Sequence, residues 1–316
     1  MNRRPLGRSG ISIAPLMLGG NVFGWTIDEA TSFAILDAFV DAGFNAIDTA
    51  DSYSRWVPGH TGGESEMIIG RWLKHSGKRD KVVIATKVGS DMGEGKCVRK
   101  EYIMRACEAS LKRLQVERID LYQTHFDDQV TPVEETLEAY AQLIAQGKLR
   151  TIGASNVSPA RLITSLEASR ARRLPRYESL QPNYNLADRD EFERTYAPLC
   201  REHGLGVIPY YSLAGGFLTG KYRSADDAAK NASRGSKVTS YFDARGERIL
   251  QAIDSIAAAH NTTPAQVSLA WLIAQPLVTA PIASATSLKQ LADILAAPAL
   301  TLSADDLSAL ERASAS

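Results

Sequence analysis

Short runs of apolar and β-branched residues alternate along the chain with longer segments in which apolar residues recur every three or four positions. A short apolar run is typical of a strand buried in a sheet, and a spacing of three and four is typical of a helix with one apolar face. Eight runs predict strands, at Leu16–Gly19, Phe44–Asp48, Lys81–Lys87, Arg118–His125, Leu149–Ser155, Ser179–Gln181, Gly206–Tyr210 and Leu277–Ser284. The other segments predict helices, at Asp28–Ala42, Glu64–Gly77, Lys100–Leu114, Pro132–Gln146, Pro159–Ser169, Glu191–His203 and Ser303–Ala313.

Strands that alternate with helices predict βα units and a parallel sheet, and eight such units fit a closed (β/α)₈ TIM barrel. An open doubly wound sheet has the same local pattern and is the alternative. Two segments lie outside the repeat. Arg4–Leu6 and Ile11–Ile13 flank a turn and predict a β-hairpin that caps one end of the barrel, and the polar segment Ser212–Phe242 predicts a long loop after strand seven. Because no linker interrupts the pattern, we expect a single domain over residues 1–316.

The amino-acid composition excludes several functional classes of protein. The chain has 36 Lys and Arg against 36 Asp and Glu, and so lacks the basic excess typical of proteins that bind nucleic acid or anionic membranes. It has no uninterrupted apolar run of about 20 residues. The three cysteines form no CxxC pair, and no HExxH motif occurs. We therefore expect a cytoplasmic protein that acts on a small molecule, with no metal site and no nucleic-acid or membrane partner; the composition indicates no oligomeric state.

Candidate chemistry lies where the predicted strands end, because the active site of a (β/α)₈ barrel lies at the carboxyl ends of its strands. Asp48, Lys87 and His125 end the second, third and fourth strands, and Tyr53 follows Asp48 by five residues. Singly, each of these residue types is common in a structural role, since a strand-end Asp often caps a helix and a Lys often extends to solvent. Together, on three adjacent strands, they are expected to converge on one pocket.

The four side chains form a set with a chemical logic. A phenol with a pKa near 10 is a poor acid at neutral pH, but a neighbouring Lys⁺ stabilises its anion and lowers that pKa. In this scheme Asp48 holds Lys87 in place, and His125 orients a carbonyl oxygen by a hydrogen bond. Tyr53 would then protonate the alkoxide that forms when a hydride reaches a carbonyl carbon.

Six strings carry a family resemblance: GFNAIDTADSY with Asp48 and Tyr53, IATKVG around Lys87, DLYQTH ending at His125, IGASN, QPNYN and PYYSLAGGFLTGKY. In this order they resemble the aldo-keto reductases, and within them the bacterial proteins similar to potassium-channel β subunits. The resemblance implies a (β/α)₈ barrel that binds NADP(H) across its mouth without a Rossmann domain. The chain indeed has no GxGxxG motif after a strand.

The resemblance also implies roles for individual residues. Tyr53 would be the proton donor, Lys87 and Asp48 its tuning pair, and His125 the group that orients the carbonyl. Cofactor contacts are implied for Gly20, Asn21, Asp48, Ser155, Asn156, Gln181, Tyr210, Tyr211, Ser212, Leu213, Gly215, Lys221, Ser284, Thr286 and Gln290. Among these, Ser155, Asn156 and Gln181 would hold the nicotinamide carboxamide, Tyr210 would stack on the ring, and the segment 211–221 would wrap the pyrophosphate. Substrate contacts are expected from Trp25, Tyr53, Trp56, His125 and Phe126, of which Trp56 and Phe126 also suit a packing role.

The chain departs from the family pattern where the adenosine would bind. Thr286 stands where an Arg is common, and Ile294 stands where an Asn is usual. Lys289 is the nearest basic residue that would replace that Arg, although it also suits an exposed helix position. Family habit therefore implies NADP(H), and NAD(H) stays open.

We predict an NADP(H)-dependent oxidoreductase that reduces aldehydes or ketones to alcohols. One alternative is a cofactor-sensing regulatory protein of the channel β-subunit type with weak turnover. Another is a barrel enzyme of a different class, such as a hydrolase, which would ignore nicotinamide cofactors. The presence of all four catalytic residue types favours the reductase.

Overall fold

The computed structural model describes residues 2–229 and 238–315. Eight parallel strands form one sheet in the order β10-β3-β4-β5-β6-β7-β8-β9, and a separate hairpin pairs β1 with β2. The strands are β1 Arg4–Pro5, β2 Ser12–Ile13, β3 Met17–Gly19, β4 Ala46–Asp48, β5 Val83–Val88, β6 Ile119–Thr124, β7 Leu149–Ser155, β8 Tyr177–Gln181, β9 Gly206–Val207 and β10 Ile282–Ala283.

Hydrogen bonds between the last two strand segments close the sheet into a barrel. The Thr279 amide donates to the Val207 carbonyl at 2.7 Å, and the Ile282 amide donates to the Pro209 carbonyl at 2.9 Å. On its other side β10 pairs with β3, so the ends of the sheet meet. The (β/α)₈ barrel is thereby confirmed, and the open doubly wound sheet is wrong. The eighth strand is shorter than predicted, because Pro281 directly before it has no amide hydrogen to donate.

Eleven helices surround the barrel in the described residues. They are α1 Glu29–Asp41, α2 Glu64–Ser76, α3 Lys100–Leu114, α4 Val133–Ala145, α5 Pro159–Arg172, α6 Ala197–His203, α7 Ala225–Ala229, α8 Ala244–Ala259, α9 Pro264–Ala274, α10 Leu288–Ala296 and α11 Ala304–Ser314. Seven lie close to predicted positions, and α7 to α10 were not predicted. The helix predicted at Glu191–His203 begins with a π-helical stretch at Phe192–Tyr196 and continues as α6. No helix in the described part of the chain is long and apolar enough to cross a membrane.

The predicted hairpin caps the amino-terminal end of the barrel. Leu6, Ile11 and Ile13 are almost fully buried and pack into the barrel interior against residues from its strands, among them Leu121 and Ile208. The Arg4 guanidinium donates to two backbone carbonyls near the last strand. Apolar side chains therefore fill this end, and the opposite end, where the parallel strands finish, carries the polar residues.

The segment predicted as a long loop after the seventh barrel strand contains short helices. 3₁₀ turns within Ala214–Thr219 are interrupted by a kink at Gly215 and Gly216, α7 follows, and a further 3₁₀ turn spans Thr239–Tyr241. Residues 230–237 of the predicted loop lie outside the described residues. Phe217 and Val238 are fully buried, and Tyr241 stacks on Phe217 with ring centroids 5.2 Å apart. The two described parts of this segment are therefore packed against each other.

Candidate active site

Tyr53, Lys87 and Asp48 form a closed hydrogen-bonded triangle at the carboxyl ends of β4 and β5. The Lys87 ammonium donates to Asp48 Oδ2 at 2.6 Å and to the Tyr53 hydroxyl oxygen at 2.8 Å, and the Tyr53 hydroxyl donates to Asp48 Oδ2 at 3.1 Å. Lys87 also donates to the Thr49 carbonyl at 2.8 Å. Because Lys87 and Asp48 are almost fully buried, the ammonium is held by these contacts rather than by water.

The second oxygen of Asp48 is fixed by two glutamines. Gln181 Nε2 donates to Asp48 Oδ1 at 3.0 Å, and Gln123 Nε2 donates to the same oxygen at 3.3 Å. Gln181 Nε2 also donates to Gln123 Oε1 at 3.3 Å, so both hydrogens of its amide nitrogen are engaged, and its amide oxygen is the group that remains to accept a hydrogen bond. Gln123 lies inside β6 and was not predicted. Its signal in the sequence was a polar residue two positions before His125, on the same face of a buried strand.

Burial controls the electrostatics of this cluster. It raises the pKa of the Tyr53 phenol well above its usual value, and the Asp48 carboxylate adds to that effect. Burial also lowers the pKa of Lys87, although Asp48 opposes this shift. From the sequence we expected Lys87 to lower the pKa of Tyr53; in the structure the loss of solvation and the adjacent carboxylate raise it instead. The phenol is therefore held in its protonated form, which is the form that a proton donor requires.

His125 lies beside the triangle as a neutral imidazole. Burial, with a contribution from the Lys87 charge, holds the pKa of His125 well below its usual value. Its ring is 6.1 Å from the Tyr53 ring and stacks on Phe126 at 4.8 Å between centroids. Nδ1 of His125 lies 3.4 Å from the Ser52 hydroxyl. The ring is therefore a neutral donor or acceptor at the edge of the cavity.

A cavity of about 780 Å³ extends from these residues across the mouth of the barrel. This volume is within the range of roughly 300–1,000 Å³ that is usual for ligand sites. Most of the predicted site residues line it: Asn21, Asp48, Tyr53, Trp56, His125, Phe126, Ser155, Asn156, Gln181, Tyr210, Tyr211, Ser212, Leu213, Gly215, Lys221, Ser284, Thr286 and Gln290.

Three predicted residues lie next to the cavity without lining it. Lys87 is behind Tyr53 and acts on the cavity only through its two partners. Gly20 donates its amide to the Asp48 carbonyl at 2.7 Å, and a Cβ atom added there would lie 2.9 Å from that oxygen. Trp25 packs edge-on against Trp56, with ring centroids 5.5 Å apart. These residues support the walls of the cavity.

The end of the cavity next to Asp48 is held by hydrogen bonds between neighbouring strands. Ser155 donates to the Gln181 carbonyl at 2.9 Å, and the Asn156 amide donates to the His125 carbonyl at 3.0 Å. The Tyr210 hydroxyl donates to Asn156 Oδ1 at 3.1 Å. Asn156 adopts the left-handed backbone conformation, with φ of 47°, which is tolerated better by Asn than by most residues. Amide groups and one aromatic ring thus surround this end.

A backbone turn and one lysine form the middle of the cavity. Gly215 and Gly216 have φ of 67° and 102°, a conformation that glycine adopts at low cost. A Cβ atom at Gly216 would lie 2.7 Å from Cε of Lys221, so the lysine stem packs directly on this turn. Tyr241 anchors the same turn through its stacking on Phe217 and through a hydrogen bond of 2.6 Å from its hydroxyl to Asp188.

The far end of the cavity is polar and carries an unexpected carboxylate. Asp293 Oδ1 accepts from Thr263 at 2.8 Å and from Gln266 at 2.7 Å, and Asp293 lines the cavity together with Thr286. Thr286 itself donates twice to the Gln290 side chain. The residues that the sequence argument missed lie mainly in this region and beside β3; they are Gly19, Val22, Thr26, Gly216, Thr219, Thr263, Ala265, Ile282, Ala283 and Asp293.

Aromatic rings form the outer wall of the cavity next to Tyr53. Trp56 is 53% exposed, and its ring lies 6.1 Å from Tyr53 in an edge-on arrangement. Phe126 lies between His125 and the Lys96 ammonium, which is 4.6 Å from its ring centroid. No group of three or more potential metal ligands occurs in the described parts of the chain.

A closed barrel with a buried titratable cluster and a large cavity where its strands end has the arrangement of a (β/α)₈ enzyme. Residues 15–315 match the model of the Aldo/keto reductase family, and the chain belongs to this family.

Three relatives cover most of the chain. It is 35% identical over 305 residues to the protein named "Uncharacterized oxidoreductase YrpG" of Bacillus subtilis, which covers 94% of this chain and 91% of the relative. It is 32% identical to "Protein tas" of Escherichia coli, over 96% of this chain and 94% of the relative. It is 30% identical to "Norsolorinic acid reductase" of Aspergillus flavus, over 96% of this chain and 79% of the relative. The family and these relatives support an oxidoreductase that reduces carbonyl groups.

Proposed function

We propose that this chain is an NADP(H)-dependent reductase of aldehydes or ketones, with residues 1–316 as one domain. The observation that carries the proposal is the buried triangle of Tyr53, Lys87 and Asp48 at the edge of a dinucleotide-sized cavity. The three cysteines are free, which supports a reducing compartment such as the cytoplasm.

The cavity suits a nicotinamide dinucleotide along its whole length. Gln181, Ser155 and Asn156 offer amide and hydroxyl groups for a carboxamide, and the Tyr210 ring offers a stacking surface. The turn at Gly215 and Gly216, which lines the cavity without side chains of its own, and the Lys221 ammonium suit a pyrophosphate. When bound, the cofactor supplies a hydride to the carbonyl carbon.

The side chains supply the proton and hold the carbonyl. Tyr53 would give its hydroxyl proton to the carbonyl oxygen as that oxygen becomes an alkoxide. The resulting phenolate faces the Lys87 ammonium at 2.8 Å, and this charge stabilises the anion more strongly in a buried site than it would in water. Neutral His125 would donate a hydrogen bond to the same oxygen. Trp25, Trp56 and Phe126 would shape the site for the rest of the substrate.

The test is oxidation of NADPH, with NADH alongside, using p-nitrobenzaldehyde as the carbonyl probe. General acid catalysis typically contributes about 10²–10⁴-fold, so Tyr53→Phe should lower kcat by at least about 10². The Kd for NADPH should stay the same, because the hydroxyl is assigned to the substrate. Unchanged reduction by this variant would refute the assignment of Tyr53. Tight NADPH binding without oxidation of NADPH in the presence of this probe would leave two candidates, an enzyme of narrow specificity and the cofactor-sensing protein.

A further inference from the structure

The His125 side chain is held on several sides. Its backbone amide donates to the Val88 carbonyl at 2.7 Å, and its carbonyl accepts from Asn156 at 3.0 Å. Phe126 stacks on the imidazole with an angle of 29° between the rings. These contacts hold the backbone and one face of the ring. They do not determine which of the two ring nitrogens carries the proton of the neutral imidazole.

Ser52 lies where it can decide this question. It belongs to the same loop as Tyr53, and it is only 7% exposed. Within the described residues, the hydrogen bond of its hydroxyl is the contact of 3.4 Å with Nδ1 of His125. Hydrogen bonds at catalytic groups are often long before substrate binds.

The direction of this hydrogen bond follows from which atoms of Ser52 and His125 can donate and which can accept. A buried hydroxyl hydrogen without an acceptor is energetically unfavourable. If Nδ1 carried the proton and donated to Ser52, the hydroxyl hydrogen would lose this acceptor, and Nε2 would present a lone pair. If Ser52 donates to Nδ1, its hydrogen is satisfied and Nε2 carries the proton. A lone pair on Nε2 would repel a carbonyl oxygen, whereas an Nε2–H group attracts it.

We propose that Ser52 is a positioning residue that donates a hydrogen bond to Nδ1 and thereby holds His125 as the tautomer protonated on Nε2. The ring then offers its single donor to the carbonyl oxygen. Ser52 touches neither substrate nor cofactor in this arrangement and acts only through His125. The inference rests on the proposed function for its catalytic meaning, but the tautomer itself is measurable without any turnover.

The first experiment is a long-range ¹H–¹⁵N spectrum of the full chain labelled with ¹⁵N-histidine. The chain has five histidines, and loss of one set of signals in His125→Gln assigns His125. The expected result is a neutral ring with a protonated Nε2 and an unprotonated Nδ1. A ring with the proton on Nδ1 would overturn the inference, and this measurement requires no variant of Ser52.

The second experiment compares Ser52→Ala with Ser52→Thr, which keeps a hydroxyl. Because a hydrogen bond contributes a net of about 0.5–1.5 kcal/mol, Ser52→Ala should lower kcat roughly three- to tenfold and shift the His125 signals toward a tautomer mixture. Ser52→Thr should restore both, and the Kd for NADPH should not change in either variant. Unchanged His125 signals and kcat in Ser52→Ala would contradict the proposal.

Ser54→Ala is the matched control, because it removes another buried hydroxyl of the same loop. Ser54 donates to the Phe23 carbonyl at 3.1 Å and not to His125. Its variant should leave the His125 tautomer unchanged. The proposed function and the Ser52 inference fail in different ways. If the chain never oxidises NADPH but His125 is protonated on Nε2, the proposed function fails and the Ser52 inference stands. If the chain reduces carbonyls but His125 is protonated on Nδ1, the Ser52 inference fails and the proposed function stands.

Discussion

Asp51 is an acid that the structure forces to stay protonated near neutral pH. It is 3% exposed, its Oδ1 has no hydrogen-bond partner among the described residues, and it lies close to the buried carboxylate of Glu66. Burial raises the pKa of Asp51 to about 8, with a further contribution from Glu66, while Arg113 and Lys87 oppose the shift. The folded chain therefore keeps a proton on Asp51 that the unfolded chain loses near pH 4.

The consequence for stability has a definite sign. Between about pH 4 and pH 8 the folded state binds one more proton at Asp51 than the unfolded state does. The stabilising contribution of Asp51 to the free energy of unfolding is therefore at its maximum below pH 4. As the pH rises from 4 to 8, this contribution falls by up to about 1.4 kcal/mol for each pH unit. Asp51→Asn has no proton to lose. From pH 5 to pH 7 the variant should therefore gain about 3 kcal/mol relative to the unaltered chain.

Urea unfolding followed by tryptophan fluorescence at pH 5, 6, 7 and 8 measures this difference, since the change in midpoint at a common slope gives the change in free energy. The chain has four tryptophans to report the transition. Asp80→Asn is the control, because it makes the same substitution at an exposed aspartate; the pH-dependent gain expected for Asp51→Asn should exceed any change in this variant. A difference for Asp51→Asn that is also independent of pH would refute a raised pKa at Asp51.

Three further predictions concern the cavity. Lys87→Met removes the cation that faces Tyr53. Because loss of one donor that stabilises a developing charge typically costs about 10² or more, kcat in steady-state assays should fall by that factor. A normal kcat would exclude Lys87 from the mechanism. Thr286→Arg adds a charged donor at the far end of the cavity, which should tighten the binding of NADPH. The Kd for NADH divided by the Kd for NADPH, both measured by fluorescence titration, should therefore rise at least about tenfold. A constant ratio would mean that the 2′-phosphate binds elsewhere. Tyr241→Phe removes the hydrogen bond to Asp188, so stopped-flow release of NADPH should be roughly three- to tenfold faster. An unchanged rate would mean that this contact does not restrain the turn at Gly215 and Gly216.

The sequence predicted the parts of the site that follow from the strand rule and missed the parts that depend on three-dimensional packing. Asp48, Lys87 and His125 were found because polar residues that end parallel strands share one edge of the barrel. Gln123 was missed because it lies within a strand, and Asp293 because it reaches the cavity from a helix face that meets Thr263 only after folding. The direction of the pKa shift at Tyr53 was also missed, since burial cannot be read from residue types alone.

The same distinction applies to the barrel. Strands β5, β6 and β7 were predicted within two residues, and they are the longest strands, with six or seven residues each. The last two strands are only two residues each, and hydrogen bonds outside the regular ladder complete the closure. The prolines near them explain why pattern alone overestimated their length.

The contact between Arg4 of the hairpin and two backbone carbonyls late in the chain has a consequence for how the chain folds during synthesis. Arg4 binds the carbonyls of Ile273 and Val278, which are separated from it by 269 and 274 residues along the chain. The hairpin therefore leaves the ribosome long before its partners exist, and its buried Leu6 and Ile11 must wait for them. Contacts between such distant residues form slowly. Until then the apolar side chains of the hairpin are exposed to other nascent chains. Early chaperone binding should therefore be centred on residues 4–13.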